Sequence, residues 1–235
     1  MIKAFRQIDN NIFRFKDHPA IPAGIEIGFG IQDMAKDPNA IYRQMTGRYG
    51  RVLLLDQEHS DRVAIIDRGN MPIENPAILA GDALITDLKN IAITVHSADC
   101  LPVIFFDEGS VTGIVHAGWR GTLQCILQKS LVKAVEKFDM DTSKTFFLMM
   151  PSIGACCYEV GPEVGVLFGG EIRTERLTID MARANMIQLA ELGVGENQII
   201  YRGACTCCSD DFDYPSLRKE GKIKRKMISF IVRTG

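Results

Sequence analysis

An α+β fold is what this sequence predicts, on three observations. Short runs rich in Val, Ile and Phe come in clusters, two longer stretches carry helical periodicity, and the helical stretches do not alternate regularly with the strands. A doubly wound parallel sheet would need that alternation.

The strand candidates begin at Arg51–Leu55 and Val63–Asp67 and continue through Ala83–Thr86, Ile91–Val95, Pro102–Phe106 and Val111–Val115. Thr145–Met149, Gln198–Tyr201 and Met227–Val232 follow. Most are too short for helices, and their β-branched and aromatic side chains suit a pleated, half-buried surface. After Gly121, the residues Leu123, Ile126, Leu127, Leu131, Ala134, Val135 and Phe138 recur at the spacing of one helical face. Thr178 or Asp180 can cap a second helix carrying Ala182, Met186, Leu189 and Ala190, with Gly193 near its end. No linker, repeat or low-complexity tract divides the chain, so residues 1–235 read as one domain.

Composition narrows the function classes. Hydrophobic residues make up 46% and charged residues 24%, the balance of a chain that buries a core rather than staying disordered. A net charge of -2 supplies no field to draw the chain to nucleic acid or to an anionic membrane. The basic run Lys219, Lys222, Lys224, Arg225 and Lys226 reads as a solvated turn. No apolar stretch reaches the roughly 20 residues of a membrane-spanning helix, and the first residues lack the apolar core of a signal peptide. With an odd count of seven cysteines, this predicts a cytoplasmic protein whose thiols are free or bound to metal.

Three segments place a histidine or cysteine at the end of an apolar strand, where a side chain can leave the core. They are Asp56-Gln57-Glu58-His59, His96-Ser97-Ala98-Asp99-Cys100-Leu101-Pro102, and Val115-His116-Ala117-Gly118-Trp119-Arg120-Gly121. Two imidazoles and a thiolate satisfy zinc and leave a fourth position open, as a catalytic site requires. Spacing alone equally suits two partly buried histidines and a core cysteine. On an extended strand His96 would share a face with Ala98 and Cys100, which makes it a candidate fourth neighbour. Cys156-Cys157 and Cys205-Thr206-Cys207-Cys208 contain a C-x-x-C spacing but read as packing thiols. Four histidines are too few for a multicopper oxidase site.

Four motifs in order carry a family resemblance. They are Gly81-Asp82-Ala83-Leu84-Ile85-Thr86, Ala98-Asp99-Cys100-Leu101-Pro102-Val103, His116-Ala117-Gly118-Trp119-Arg120-Gly121-Thr122, and Pro151-Ser152-Ile153-Gly154-Ala155-Cys156-Cys157-Tyr158-Glu159-Val160-Gly161. Together they resemble the YfiH-type family, labelled multicopper polyphenol oxidase or laccase and also purine nucleoside phosphorylase. The resemblance implies layered β-sheets packed together with flanking helices, similar to the catalytic domain of cytotoxic necrotising factor toxins. It implies a zinc-dependent enzyme, zinc being preferred over copper, with His59, Cys100 and His116 as the metal ligands. Its implied partners are phosphate and a purine nucleoside: adenosine, inosine, guanosine or methylthioadenosine for phosphorolysis, and adenosine for deamination.

On this reading Asp99 and Asp82 are candidates for acid–base or orienting work, Arg120 for an anion contact in catalysis, and Arg218 and Gln57 for substrate binding. Two departures from the family pattern concern phosphate. Gln32 stands where the family has an arginine, and glutamine lacks the bidentate fork that recognises phosphate. Ser216-Leu217-Arg218-Lys219-Glu220-Gly221 replaces Ser-Tyr-Arg-Arg-Asp-Gly. The alternatives are a metal-independent cysteine hydrolase or deamidase using Cys100 and His116, and a binding protein without turnover.

Overall fold

The computed structural model describes residues 4–37, 39–109, 111–170, 172 and 177–235. In chain order the first elements are β1 (Phe5–Asp9), β2 (Ile12–Phe15), β3 (Ile25–Asp33), α1 (Ala40–Tyr49), β4 (Arg51–Asp56), β5 (Val63–Ile66) and β6 (Ala77–Ala80). Next come β7 (Ala83–Thr86), β8 (Ile91–Ser97), β9 (Leu101–Asp107), β10 (Thr112–Ala117), α2 (Trp119–Leu123) and α3 (Ile126–Phe138). The remainder comprises β11 (Thr145–Met149), α4 (Pro162–Gly165), α5 (Met181–Glu191), β12 (Ile199–Arg202), α6 (Leu217–Glu220) and β13 (Arg225–Arg233).

The strands form two mixed sheets, which with the six helices make the α+β class expected. One sheet runs β1-β2-β3-β13-β8-β4-β6 and the other β12-β11-β9-β10-β7-β5. Alternate side chains point to opposite faces, so each sheet has two faces to bury. The inner faces meet in a core that joins Phe29, Leu53 and Ile93 of the first sheet to Leu84, Ile104 and Leu148 of the second. Helix α1 covers the outside of the first sheet through Ile41, Met45 and Tyr49. Helices α3 and α5 cover the outside of the second, with Leu127, Leu131 and Leu189 set against Ile85, Val103, Phe105 and Val115.

The helical stretch expected after Gly121 is broken. Cys125 adopts φ 59°, in the left-handed region, which ends α2 and starts α3 in a new direction. The second expected helix is α5, capped by Asp180, whose side chain accepts from the Arg183 N–H at 2.8 Å. Gly193 follows its end with φ 81°. Among the described residues no helix is long and apolar enough to cross a membrane.

Leu131 is fully buried between α3 and the second sheet. Leu131→Ala is expected to destabilise the fold by about 2–5 kcal/mol through lost transfer energy and the cavity left behind. Equilibrium urea denaturation would measure this, and metal content should stay at the wild-type value because the substitution lies in the helix layer.

Candidate metal centre

Register explains why three distant segments meet. Strands β7, β10 and β9 are consecutive and antiparallel, with Val115 opposite both Ala83 and Val103, and His116 opposite Pro102. Asp82, just before β7, and Cys100, just before β9, therefore flank His116 at one end of the second sheet. The His116 N–H donates to the Asp82 carbonyl at 2.7 Å, which extends the pairing one step beyond β7. His59 arrives from the other sheet, on the loop after β4.

That loop is shaped by the Asp82 carboxylate, which is fully buried. It accepts from the N–H groups of Glu58 at 3.2 Å, His59 at 3.0 Å and Ser60 at 2.7 Å, and from the Ser60 hydroxyl at 2.7 Å. These bonds hold His59 in the left-handed region at φ 57°. The same carboxylate lies 2.8 Å from His116 Nδ1. One side chain thus sets the loop that carries the first histidine and the ring orientation of the second. A carboxylate behind a histidine in this way fixes the tautomer and leaves Nε2 for a ligand.

One ligand atom each from His59, Cys100 and His116 lies within 4.8 Å of the others. Cys100 Sγ is 3.9 Å from His59 Nε2, and the two imidazole rings meet edge-on at 4.9 Å between centroids. Gly118 completes the cradle. A Cβ there would sit 3.2 Å from His59 Cδ2, 3.4 Å from Cys100 Sγ and 3.7 Å from His116 Cε1, in the space these three share. Two imidazoles, a thiol and an uncrowded centre fit a zinc- or copper-class ion.

The electrostatics favour the ionised set. Burial pushes the Cys100 thiol up, but hydrogen bonding to His116 and His59 outweighs it and brings the group from 9.0 down to about 6. Burial pushes His116 down, but Asp82 and then Cys100 raise it to about 9. A thiolate is therefore expected at neutral pH even without metal. Alkylation of Cys100 in metal-stripped protein should switch on as pH rises through about 6, and in His116→Ala the midpoint should move up towards 9.0; mass spectrometry of the Cys100 peptide across a pH series would read both.

His59 and Cys100 line a cavity of about 230 Å³, and His116 is buried behind its wall. Of the other residues expected at the site, Asp99, Arg120 and Arg218 line this cavity. Asp99 adopts φ 94° and accepts from Thr206 Oγ1 at 2.6 Å and from the Arg218 N–H at 2.7 Å. The Arg120 guanidinium lies 4.2 Å over the Trp119 ring, and Arg218 donates to the Cys157 and Glu159 carbonyls at 3.0 and 2.6 Å. Asp82 and Gln57 do not line it. Asp82 is sealed behind His116, and the Gln57 amide is spent on the backbone of His96, one bond each way at 2.8 Å.

One expectation changes. His96 and Cys100 do not share a strand face, because β8 ends at Ser97 and the chain bends through Ala98–Cys100, so the two-residue period stops short of the cysteine. Gln32 is buried in β3 opposite Lys226 and is not among the residues that line the cavity. Trp119, Ile153, Tyr158 and Met181 are cavity residues that the sequence reading did not single out. Trp119 and Tyr158 sit inside the quoted motifs, so their aromatic character was the available signal.

Residues 22–234 match a family described as multi-copper polyphenol oxidoreductase laccase. The chain belongs to that family. Within reach of the laccase-labelled family, a purine nucleoside phosphorylase from Aquifex aeolicus (strain VF5) is 37% identical over 194 residues, covering 81% of this chain and 86% of the relative. A protein named adenosine deaminase RL5, from an unknown prokaryotic organism, is 34% identical over 168 residues, 65% of this chain and 64% of that protein. The crystal structure of YlmD from Geobacillus stearothermophilus superposes with a TM-score of 0.83 over 99% of both chains at 23% identity, a likeness of fold.

Proposed function

We propose that this chain is a zinc-dependent enzyme acting on purine nucleosides, by phosphorolysis and by deamination of adenosine. The observation that carries the reading is the convergence of His59, Cys100 and His116, the first two of which line a small, partly aromatic cavity. Relatives named purine nucleoside phosphorylase and adenosine deaminase support the substrate class. A zinc ion held by the three ligands would supply a Lewis acid beside that cavity.

The chain's own residues do the rest. The Trp119 and Tyr158 rings offer flat apolar surface to a purine base. Arg120 and Arg218 place two guanidinium groups at the cavity wall, where they can meet phosphate and take over the role that Gln32 cannot fill. Asp99 is the carboxylate that lines the cavity, held in place through Thr206 and the Arg218 amide, where it would do the acid–base or orienting work on the purine base. Asp82 acts through His116 and is a positioning residue. The cavity's size suits a nucleoside rather than a polymer.

The test is chromatography of products from zinc-replete protein and adenosine, with and without phosphate. Adenine formed with phosphate alone marks phosphorolysis, and inosine formed regardless of phosphate marks deamination. Formation of neither adenine nor inosine would overturn the purine reading.

A second reading rests on one specific feature. Asp82, His116 and Cys100 form a carboxylate–imidazole–thiol series, the arrangement of a cysteine hydrolase. Full activity in metal-stripped enzyme would favour it over the zinc reading.

A further inference from the structure

Four other cysteines also converge. One sulfur each from Cys156, Cys157, Cys205 and Cys208 lies within 4.8 Å of the others. All are free thiols, and Cys156 and Cys208 are exposed. A buried thiol behaves as a small hydrophobe and is explained by packing, but four thiols gathered at a surface are not.

The backbone there is built around the sulfurs. Two turns face each other. One runs Gly154–Cys157, closed by the Cys157 N–H donating to the Gly154 carbonyl at 2.9 Å, and the other runs Cys205–Ser209, closed by Ser209 N–H to the Cys205 carbonyl at 3.0 Å. A parallel bridge between Ser152 and Cys205 fixes their approach. The Gly154 N–H donates to Cys205 Sγ at 3.2 Å, and the N–H groups of Cys207 and Cys208 also bond that sulfur. Amide donors aimed at a sulfur stabilise a thiolate. Gly154 is small where it must be, since a Cβ there would sit 3.2 Å from Cys156 Sγ.

Geometry distinguishes a metal from a disulfide. Four sulfurs at about 2.3 Å from a tetrahedral zinc are roughly 3.8 Å apart. Cys156 Sγ and Cys208 Sγ, 3.4 Å apart, need to separate slightly to reach that spacing, and all four sulfurs already lie within 4.8 Å of one another. A disulfide, with sulfurs about 2.05 Å apart, would use two of the thiols and leave two behind. We infer that Cys156, Cys157, Cys205 and Cys208 form a second metal site, a tetrathiolate that takes one zinc ion and has no open position for substrate.

Its role is structural and it bears on the cavity. The Cys157 carbonyl accepts from Arg218, Tyr158 is a cavity wall, and Thr206 holds Asp99. A zinc ion joining the two turns would fix all three. Each neutral thiol gives its proton to solvent as its sulfur binds, so uptake releases protons.

The test separates this site from the nucleoside centre by using full-length His116→Ala, which disables the latter. The protein is purified under reducing conditions, loaded with zinc, desalted and analysed by mass-spectrometric metal counting. The expected result is one zinc per chain. Cobalt in its place should give intense sulfur-to-cobalt charge-transfer bands and tetrahedral d–d bands. Adding Cys157→Ser and Cys208→Ser should bring retained metal to near zero, whereas Cys207→Ser, a neighbouring thiol outside the set, should keep one. Absence of bound zinc in folded His116→Ala would overturn the inference, as would a Cys156–Cys208 disulfide that persists through purification under reducing conditions. His59→Ala, which leaves the buried Asp82–His116 pair intact, is the second parent, so failure of one variant to fold does not obscure the answer.

Discussion

His116→Ala is expected to lose metal from the centre shared with His59 and Cys100 and to lower nucleoside turnover by at least about a thousandfold. The size follows from charge stabilisation by a bound metal, worth several kcal/mol, when about 4 kcal/mol is a factor of a thousand in rate. His116 is the most buried of the three ligands and the one tied to Asp82, so its loss removes both a ligand and the ring that Asp82 orients. Removing it also strands a buried carboxylate, which costs about 3–5 kcal/mol when an ion pair is broken from one side. His116→Gln, which keeps a donor for Asp82, should recover part of that stability and none of the turnover. Metal analysis, product chromatography and urea denaturation on the two variants would separate the effects. Wild-type turnover in folded His116→Ala would sink the assignment of this centre.

Asp82→Asn is expected to weaken metal binding about 10–100-fold, the usual cost of losing the partner that orients a histidine ligand. It should also change the acid stability. Burial pushes the Asp82 carboxyl up, but hydrogen bonds from His116 and from Ser60 outweigh this and bring it from 3.8 down to about 2. A carboxyl lowered on folding contributes stability that is complete above its unfolded value and is lost as pH falls through the folded one. Wild-type, metal-free protein should therefore lose about 2 kcal/mol between roughly pH 4 and pH 2 that Asp82→Asn has already lost at neutral pH. Denaturation midpoints compared over that window would show convergence of the two proteins at low pH. Parallel curves would assign the low-pH loss to other carboxylates.

Apart from β6, which the sequence reading left out, the strands from Arg51 onward were legible because their apolar runs are bounded by turn residues. The N-terminal strands were not. β3 carries Gly28 and Gly30, which weaken a β pattern, yet Gly28 is there because a Cβ would lie 2.1 Å from the Phe13 carbonyl and 2.8 Å from the Phe230 ring. That demand comes from partners on β2 and β13, which no local window contains. Helix α1 buries Ile41, Met45 and Tyr49 on an otherwise polar segment with a glycine inside and no side-chain cap, so its stability comes from the sheet beneath it. At the centre, residue types at strand ends marked His59, Cys100 and His116 as candidates. The separate duties of Asp82 and Asp99 could not be read from sequence, because both are aspartates next to strands, and only tertiary structure puts one behind a histidine and the other at a cavity.

Strand β13 lies in the middle of its sheet, between β3 and β8, although it comes last in the chain order of elements. A ribosome delivers β3 and β8 long before the segment that must be inserted between them. Until then the sheet bearing β4, and with it the His59 loop, exists as two separate ribbons with unpaired inner edges. The candidate metal centre should consequently be absent from nascent chains, whose unpaired strand edges are open to edge-to-edge association while synthesis proceeds.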